Sequence, residues 1–208
     1  MPVGTVVVKV GGSLYDLPDL GARLRRWLEK AGTRPTVLVP GGGPTADVVR
    51  NLDRRLHLGE EAAHWLALRA LSLNAHFLAH LLPGAVVCDG PGACAADPSR
   101  APLAVLDAHA FARADEGRPG CLPHVWDAAS DSLAARVAVV ARASRLLLLK
   151  SVTIPAGVGW AEAGRLGLVD PLFARVLEQA GPGLRVEAIN LRAGPPTLPL
   201  LPGPRGLG

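Results

Sequence analysis

Residues 5–14 read TVVVKVGGSL, a β-branched run broken by one lysine and closed by two glycines. Val and Thr favour the pleated strand, and a glycine pair stops it. Over residues 17–30, Leu20, Leu24, Trp27 and Leu28 then recur at helical spacing. The pattern repeats at once: TVLVP at residues 36–40, the turn Gly41–Gly43, and a helix over 45–56 with Val48, Val49 and Leu52 predicted inward. Two successive strand–turn–helix units imply parallel strands joined by right-handed crossovers. The predicted fold is therefore α/β, a three-layer αβα sandwich around a mostly parallel central sheet.

Working outward, residues 60–82 predict a long helix with an apolar face at Trp65, Leu68 and Leu71 to Leu73, and residues 85–87 and 102–106 predict short strands. A helix over 130–143, opened by Ser130 or Asp131, feeds an apolar strand at 145–149; a helix at 170–180 and a strand at 184–189 follow. From Ala193 onward the chain is rich in Pro, Gly and Leu, with five prolines that cannot donate backbone hydrogen bonds. This gives one domain over residues 1–192 and an irregular tail over 193–208.

Composition narrows the class. The chain has 208 residues and is 49% hydrophobic, yet no apolar run approaches the ~20 residues of a membrane span. The start of the chain runs straight into its first strand without the features of an export leader, so the expectation is a cytoplasmic protein with no membrane partner. Cys88, Cys94 and Cys121 are an odd set without CxxC spacing, which fits reduced thiols better than a zinc site or a disulfide framework. The net charge of +4 is carried by scattered arginines, and aromatic residues are only 4%, so a nucleic-acid surface is not expected. Lysine occurs only at Lys9, Lys30 and Lys150. In a chain that uses Arg for generic charge, Lys marks places where a compact ammonium is wanted, phosphate chemistry among them.

Glycine turns at the carboxyl ends of parallel strands are where open α/β sheets bind anions, because backbone N–H groups and helix N-termini converge there. Gly11, Gly12 and Gly41 to Gly43 occupy two such ends. Neither turn is GxGxxG or GxxxxGK[ST], which argues against a dinucleotide-binding oxidoreductase and against P-loop chemistry.

KVGGSL at residues 9–14, VPGGGPTADVVR at 39–50 and HVWDAASDSLAARVA at 124–138 together resemble the amino acid kinase family, which includes aspartate, acetylglutamate, uridylate and isopentenyl phosphate kinases. Within it, the GGG turn followed by VVRNLD, the AHWLALRA helix and the HxWxxxSDS stretch are similar to the aminomethylfuran phosphate kinases of methanofuran biosynthesis. The resemblance implies ATP and Mg²⁺ as cofactors, a small phosphate-bearing acceptor, and a homo-oligomer. It implies that Lys9 contacts the phosphoryl group in flight and that Asp131 holds it in place. Gly11, Gly12, Ser13 and Ser130 fall to the nucleotide phosphates, and Gly42, Gly43, Arg50, His64, His124 and Asp127 to the acceptor. Lys150 and Ser151, where the chain leaves the family pattern, are also assigned to the nucleotide phosphates, Lys150 because it emerges at the same carboxyl edge as the glycine turns. No protein metal ligand is implied.

Read without the resemblance, Asp131 is equally a helix N-cap, His64 and His124 are ordinary core or surface histidines, and Lys150 is a surface lysine closing a strand. The chain also departs from the family. An acidic TDVDG-like turn is replaced by KSVTIPAG at residues 150–157, and the segment to GLVDPLF at 167–173 is short, without a second lysine. Either Lys150 takes over a phosphate-binding role, or the nucleotide half is truncated and the protein is a phosphate-binding regulator.

Overall fold

The computed structural model describes residues 4–32, 35–92 and 103–193. Six parallel strands form one sheet: β1 (Val6–Val10), β2 (Thr36–Pro40), β3 (Val86–Cys88), β4 (Leu103–Leu106), β5 (Arg145–Lys150) and β6 (Arg185–Asn190), in the order β3-β4-β2-β1-β5-β6. The helices are α1 (Leu20–Ala31), α2 (Gly43–Leu56), α3 (Glu60–Leu81), α4 (Ala108–Asp115), α5 (Ser130–Val140), α6 (Trp160–Arg165) and α7 (Phe173–Leu177).

Strand alternation divides the core into two. Val6, Val8, Val10, Leu38, Leu147 and Leu149 pack with Leu24 and Trp27 of α1 and Leu78 of α3. Val7, Val39, Leu146 and Leu148 face the other way, onto Leu133 and Val137 of α5 and Phe173 and Val176 of α7. The expected three-layer sandwich is thus formed. Strand period also fixes the lysines: Lys9 shares a face with Val7, and Lys150 with Leu146 and Leu148, so both belong to the α5 side. Lys9 is paired in register with Leu148, two residues before Lys150.

Several boundaries differ from the sequence reading. Val48 and Leu52 are 58% and 43% exposed, so α2 turns Ala46 inward and these two residues outward. The helix expected at 170–180 shrinks to α7, because Asp170 and Pro171 form the turn that precedes it. The helices α4 and α6 were not expected. Cys121 is a free, exposed thiol, whereas Cys88 is disulfide-bonded, so the expectation of reduced thiols fails there and gives no argument for a compartment. No described helix is long and apolar enough to cross a membrane. The expected tail, beyond Ala193, lies outside the described residues.

Candidate active site

In the sheet, chain order runs one way from β1 to β2 and the other way from β1 to β5. The crevice outside the carboxyl ends of these strands is the place where doubly wound sheets bind ligands. Two glycine turns meet there, backbone against backbone. A Cβ on Gly12 would lie 2.2 Å from the Gly43 nitrogen, and one on Gly41 2.3 Å from the Gly12 nitrogen. Asn74, buried on α3, donates from Nδ2 to the carbonyls of Gly41 and Gly42 at 2.8 and 2.7 Å, and the Tyr15 hydroxyl donates to Gly41 at 3.0 Å. With these carbonyls tied back, the first N–H groups of α2, which no helical carbonyl can reach, remain at the crevice. Gly12→Ala is expected to lower stability by about 1–3 kcal/mol through overpacking of this contact. Gly181→Ala, where a Cβ meets nothing within 4 Å, should leave the thermal midpoint unchanged. Equal midpoints for the two variants would show that the turns do not pack this tightly.

Above the turns sits a charged centre. Asp131, 2% exposed, ion-pairs through Oδ1 with Lys9 Nζ at 2.7 Å and accepts from Lys150 Nζ through Oδ2 at 2.8 Å. Burial works against its ionisation, but the two ammonium groups outweigh that and hold its carboxyl below the usual range. Burial, followed by repulsion from Lys9, lowers the Lys150 pKa, with Asp131 opposing. Asp131 is not the N-cap of α5. Ala129 holds that position, and the capping oxygen comes from elsewhere in the chain: Asp170 Oδ2 accepts the N–H groups of Asp131 at 2.6 Å and Ser132 at 2.9 Å. These are the second and third helical positions, which an N-cap side chain ordinarily serves. Burial and then the neighbouring Asp131 push the Asp170 carboxyl up to about 6.

A cavity of about 490 Å³ opens from this centre between α2, α3 and the loop before α5. It brings together Lys9, Gly11, Gly12, Ser13, Gly42 and Gly43 with Arg50, His64, His124, Ser130, Asp131 and Lys150. Ser151 is outside the lining but shares a hydroxyl–hydroxyl hydrogen bond of 2.8 Å with Ser13. Asp127 is exposed and outside the cavity. His64 stacks on His124 with ring centres 5.0 Å apart, and burial, aided by His124, pushes its pKa down to about 4, so it is neutral at physiological pH. The guanidinium of Arg50 sits 4.8 Å from the centre of the Trp126 ring, while Trp126 Nε1 donates to Asp53 at 2.9 Å. Deeper in, Arg136 and Asp115, both buried, form a two-pronged ion pair at 2.7 and 2.8 Å.

Asn74, Asp115, Arg136 and Asp170 were not singled out by the sequence reading. For Asn74 and Arg136 the available signal was a polar residue on the apolar face of a helix. Among the described residues, no three His, Cys, Asp or Glu side chains are grouped to hold a metal ion, and Asp131 is already committed to two lysines. The side chains therefore do not fit a protein-built Mg²⁺ site.

An all-parallel sheet with glycine turns and paired lysines at its carboxyl edge defines a doubly wound α/β protein, in which that edge is the usual place for an anionic ligand. The chain belongs to the amino acid kinase family, whose model matches residues 4–153. A stretch of 68 residues is 38% identical to a [5-(aminomethyl)furan-3-yl]methyl phosphate kinase from Methanocaldococcus jannaschii; it covers 32% of this chain and 31% of that protein. The chain thus matches about a third of that relative's length. The fold is similar to the uridylate kinase of Archaeoglobus fulgidus, with a TM-score of 0.61 at 16% identity over 89% of this chain and 90% of that one. The UMP kinase of Ureaplasma parvum gives 0.62 at 16% identity over the same shares. These relatives and neighbours are kinases.

Proposed function

We propose that the protein is an ATP-dependent kinase that transfers the γ-phosphoryl group to a small, phosphate-bearing acceptor, in a cytoplasmic pathway of the methanofuran type. The observation that carries this reading is the pair of lysines fixed on one buried carboxylate above two glycine turns. Phosphoryl transfer asks for positioning and charge neutralisation more than for covalent help. Lys9 faces the phosphoryl group as charge redistributes over its oxygens, and Asp131 fixes the ammonium without accepting a proton. Gly11, Gly12, Ser13, Ser130, Lys150 and Ser151 receive the nucleotide phosphates. Gly42, Gly43, Arg50, His64 and His124 serve the acceptor side, and Asp127, exposed and outside the cavity, drops out of that set. Mg²⁺ arrives with the nucleotide rather than in a cage of side chains.

The test is ADP release with Mg-ATP over a panel of small phosphomonoesters, furan phosphates and uridine monophosphate among them. Release that depends on one acceptor supports the reading. Nucleotide binding without turnover on any acceptor favours the second reading, a phosphate-binding regulator. One observation speaks for that alternative: the cavity lining passes from Lys150 to Gly167, with nothing from the intervening segment to enclose a base. For an active enzyme, Arg50→Ala is expected to raise the acceptor KM about 10–100-fold with kcat little changed, as one charged hydrogen bond to a phosphate is worth about 1.5–3 kcal/mol. An unchanged KM would take Arg50 out of acceptor binding.

The reading further includes one kinase-like domain over residues 1–192 and a homo-oligomer. The exposed side chains of Val48, Leu52 and Leu56 on α2, and of Leu66, Leu73 and Phe77 on α3, support the latter. Light scattering at micromolar concentration tests it, and a strict monomer would remove it.

A further inference from the structure

The two-lysine centre contains a fourth charged group with no assigned role. Asp170 lines the cavity and uses one carboxylate oxygen, Oδ2, to hold the start of α5. Its other oxygen, Oδ1, takes no hydrogen bond among the described residues. The charged groups facing it are Lys9 from β1, Lys150 from β5 and Asp131 from α5. On α6, Glu162 and Arg165 pair with each other, and Arg175 of α7 is exposed. With both carboxylates ionised and both lysines charged, the four groups sum to zero. An incoming polyphosphate then meets a neutral cluster that still contains an anionic oxygen.

Building on the kinase reading, we propose that Asp170 is a proton-loaded phosphate contact: as a nucleotide's phosphates enter, its carboxyl takes a proton from solvent at Oδ1 and donates that hydrogen to a phosphate oxygen, while Oδ2 keeps its hold on α5. Only Oδ1 has room for the proton, because Oδ2 already accepts two N–H bonds. Loading turns the cluster from neutral to singly positive and replaces a repelling oxygen with a donor. The free carboxyl, at about 6, is poised for this, since added phosphate charge favours its protonated form. A neutral carboxylic acid used as a hydrogen-bond donor in a sheltered site has precedent in enzyme chemistry. The sign follows: when binding requires a proton that the free site lacks, affinity falls as pH rises above the free pKa.

Asp170→Asn provides the test, because an amide oxygen can serve the two N–H groups while its NH₂ imitates the loaded acid. Binding of a non-hydrolysable ATP analogue with Mg²⁺ is measured by calorimetry from pH 6 to 8.5 in buffers of different ionisation enthalpy. The nucleotide's own titration is common to both proteins, so the difference between them is the readout. Wild type is expected to take up between half and one proton more than Asp170→Asn at pH 7.5, and to lose about 10–100-fold more affinity across the range. Equal uptake and parallel pH profiles would overturn the role of Asp170 and leave the kinase reading standing. No nucleotide binding by either protein, with both folded by thermal melt, would overturn both. If the variant does not fold, wild type carries the test against the free nucleotide's known titration, and uptake no greater than the nucleotide's own would overturn the proposal.

Discussion

Lys9→Ala is expected to lower kcat by about 10²–10³, the cost of removing one preorganised charge aimed at the transition state. The acceptor KM should stay within a few fold, because Arg50 and the α2 turn are untouched. The protein should remain folded. Lys9 is only 5% exposed, but its loss does not orphan Asp131, which keeps Lys150 at 2.8 Å. A stability loss of about 0.5–3 kcal/mol, the ordinary range for a point change, is therefore expected rather than collapse. Lys9→Arg should recover little, since a planar fork does not fit where one compact ammonium meets one carboxylate oxygen. Steady-state kinetics beside a thermal melt check all three points. Near-normal turnover in the alanine variant would remove Lys9 from the chemistry.

The parts of this site that were legible in the sequence are those written in a single segment. The run ending in Lys9, Gly11 and Gly12 announces a strand, a lysine and a turn within a few residues, and the sheet keeps them together. Lys150 was legible as the lysine that closes an apolar strand, although the face it takes and its partner were not. Asp131 drew two readings, and the capping one failed because a carboxylate 39 residues later supplies the cap. No local pattern announces that. Asp170 stands before Pro171, a dipeptide that reads as a turn, and its partners are chosen by how the loop after α6 folds back on α5. The inward face of α2 was misread for a related reason: Val48 and Leu52 are apolar at helical spacing, yet Ala46 makes the core contact. Periodicity finds a stripe, but it does not say which stripe the sheet will cover when small residues offer a second one.

Asp131→Asn is expected to be the most damaging single change, because it removes the carboxylate that both buried ammonium groups contact directly. The amide keeps one acceptor oxygen but turns an NH₂ toward a lysine that also donates. Lys9 and Lys150 then face each other across a neutral group, with Asp170 left as the cluster's carboxylate, and the charge on Lys150 is less well balanced. Breaking a buried ion pair by removing one partner costs about 3–5 kcal/mol, and turnover should fall at least as far as in Lys9→Ala, since both lysines lose their anchor. The pH dependence identifies the cause. Lys150 already sits below its usual pKa through burial and Lys9, and losing Asp131 lowers it further. Between that folded value and the unfolded one, the unfolded chain binds more protons, so the variant's stability rises with pH, more steeply than wild type's. Denaturant unfolding at pH 7 and pH 9 measures this directly. A variant as stable as wild type at pH 7, with a parallel pH profile, would show that Asp131 does not balance the two lysines. A variant with lost stability but an unchanged slope would trace the damage to packing at the start of α5 instead of to charge.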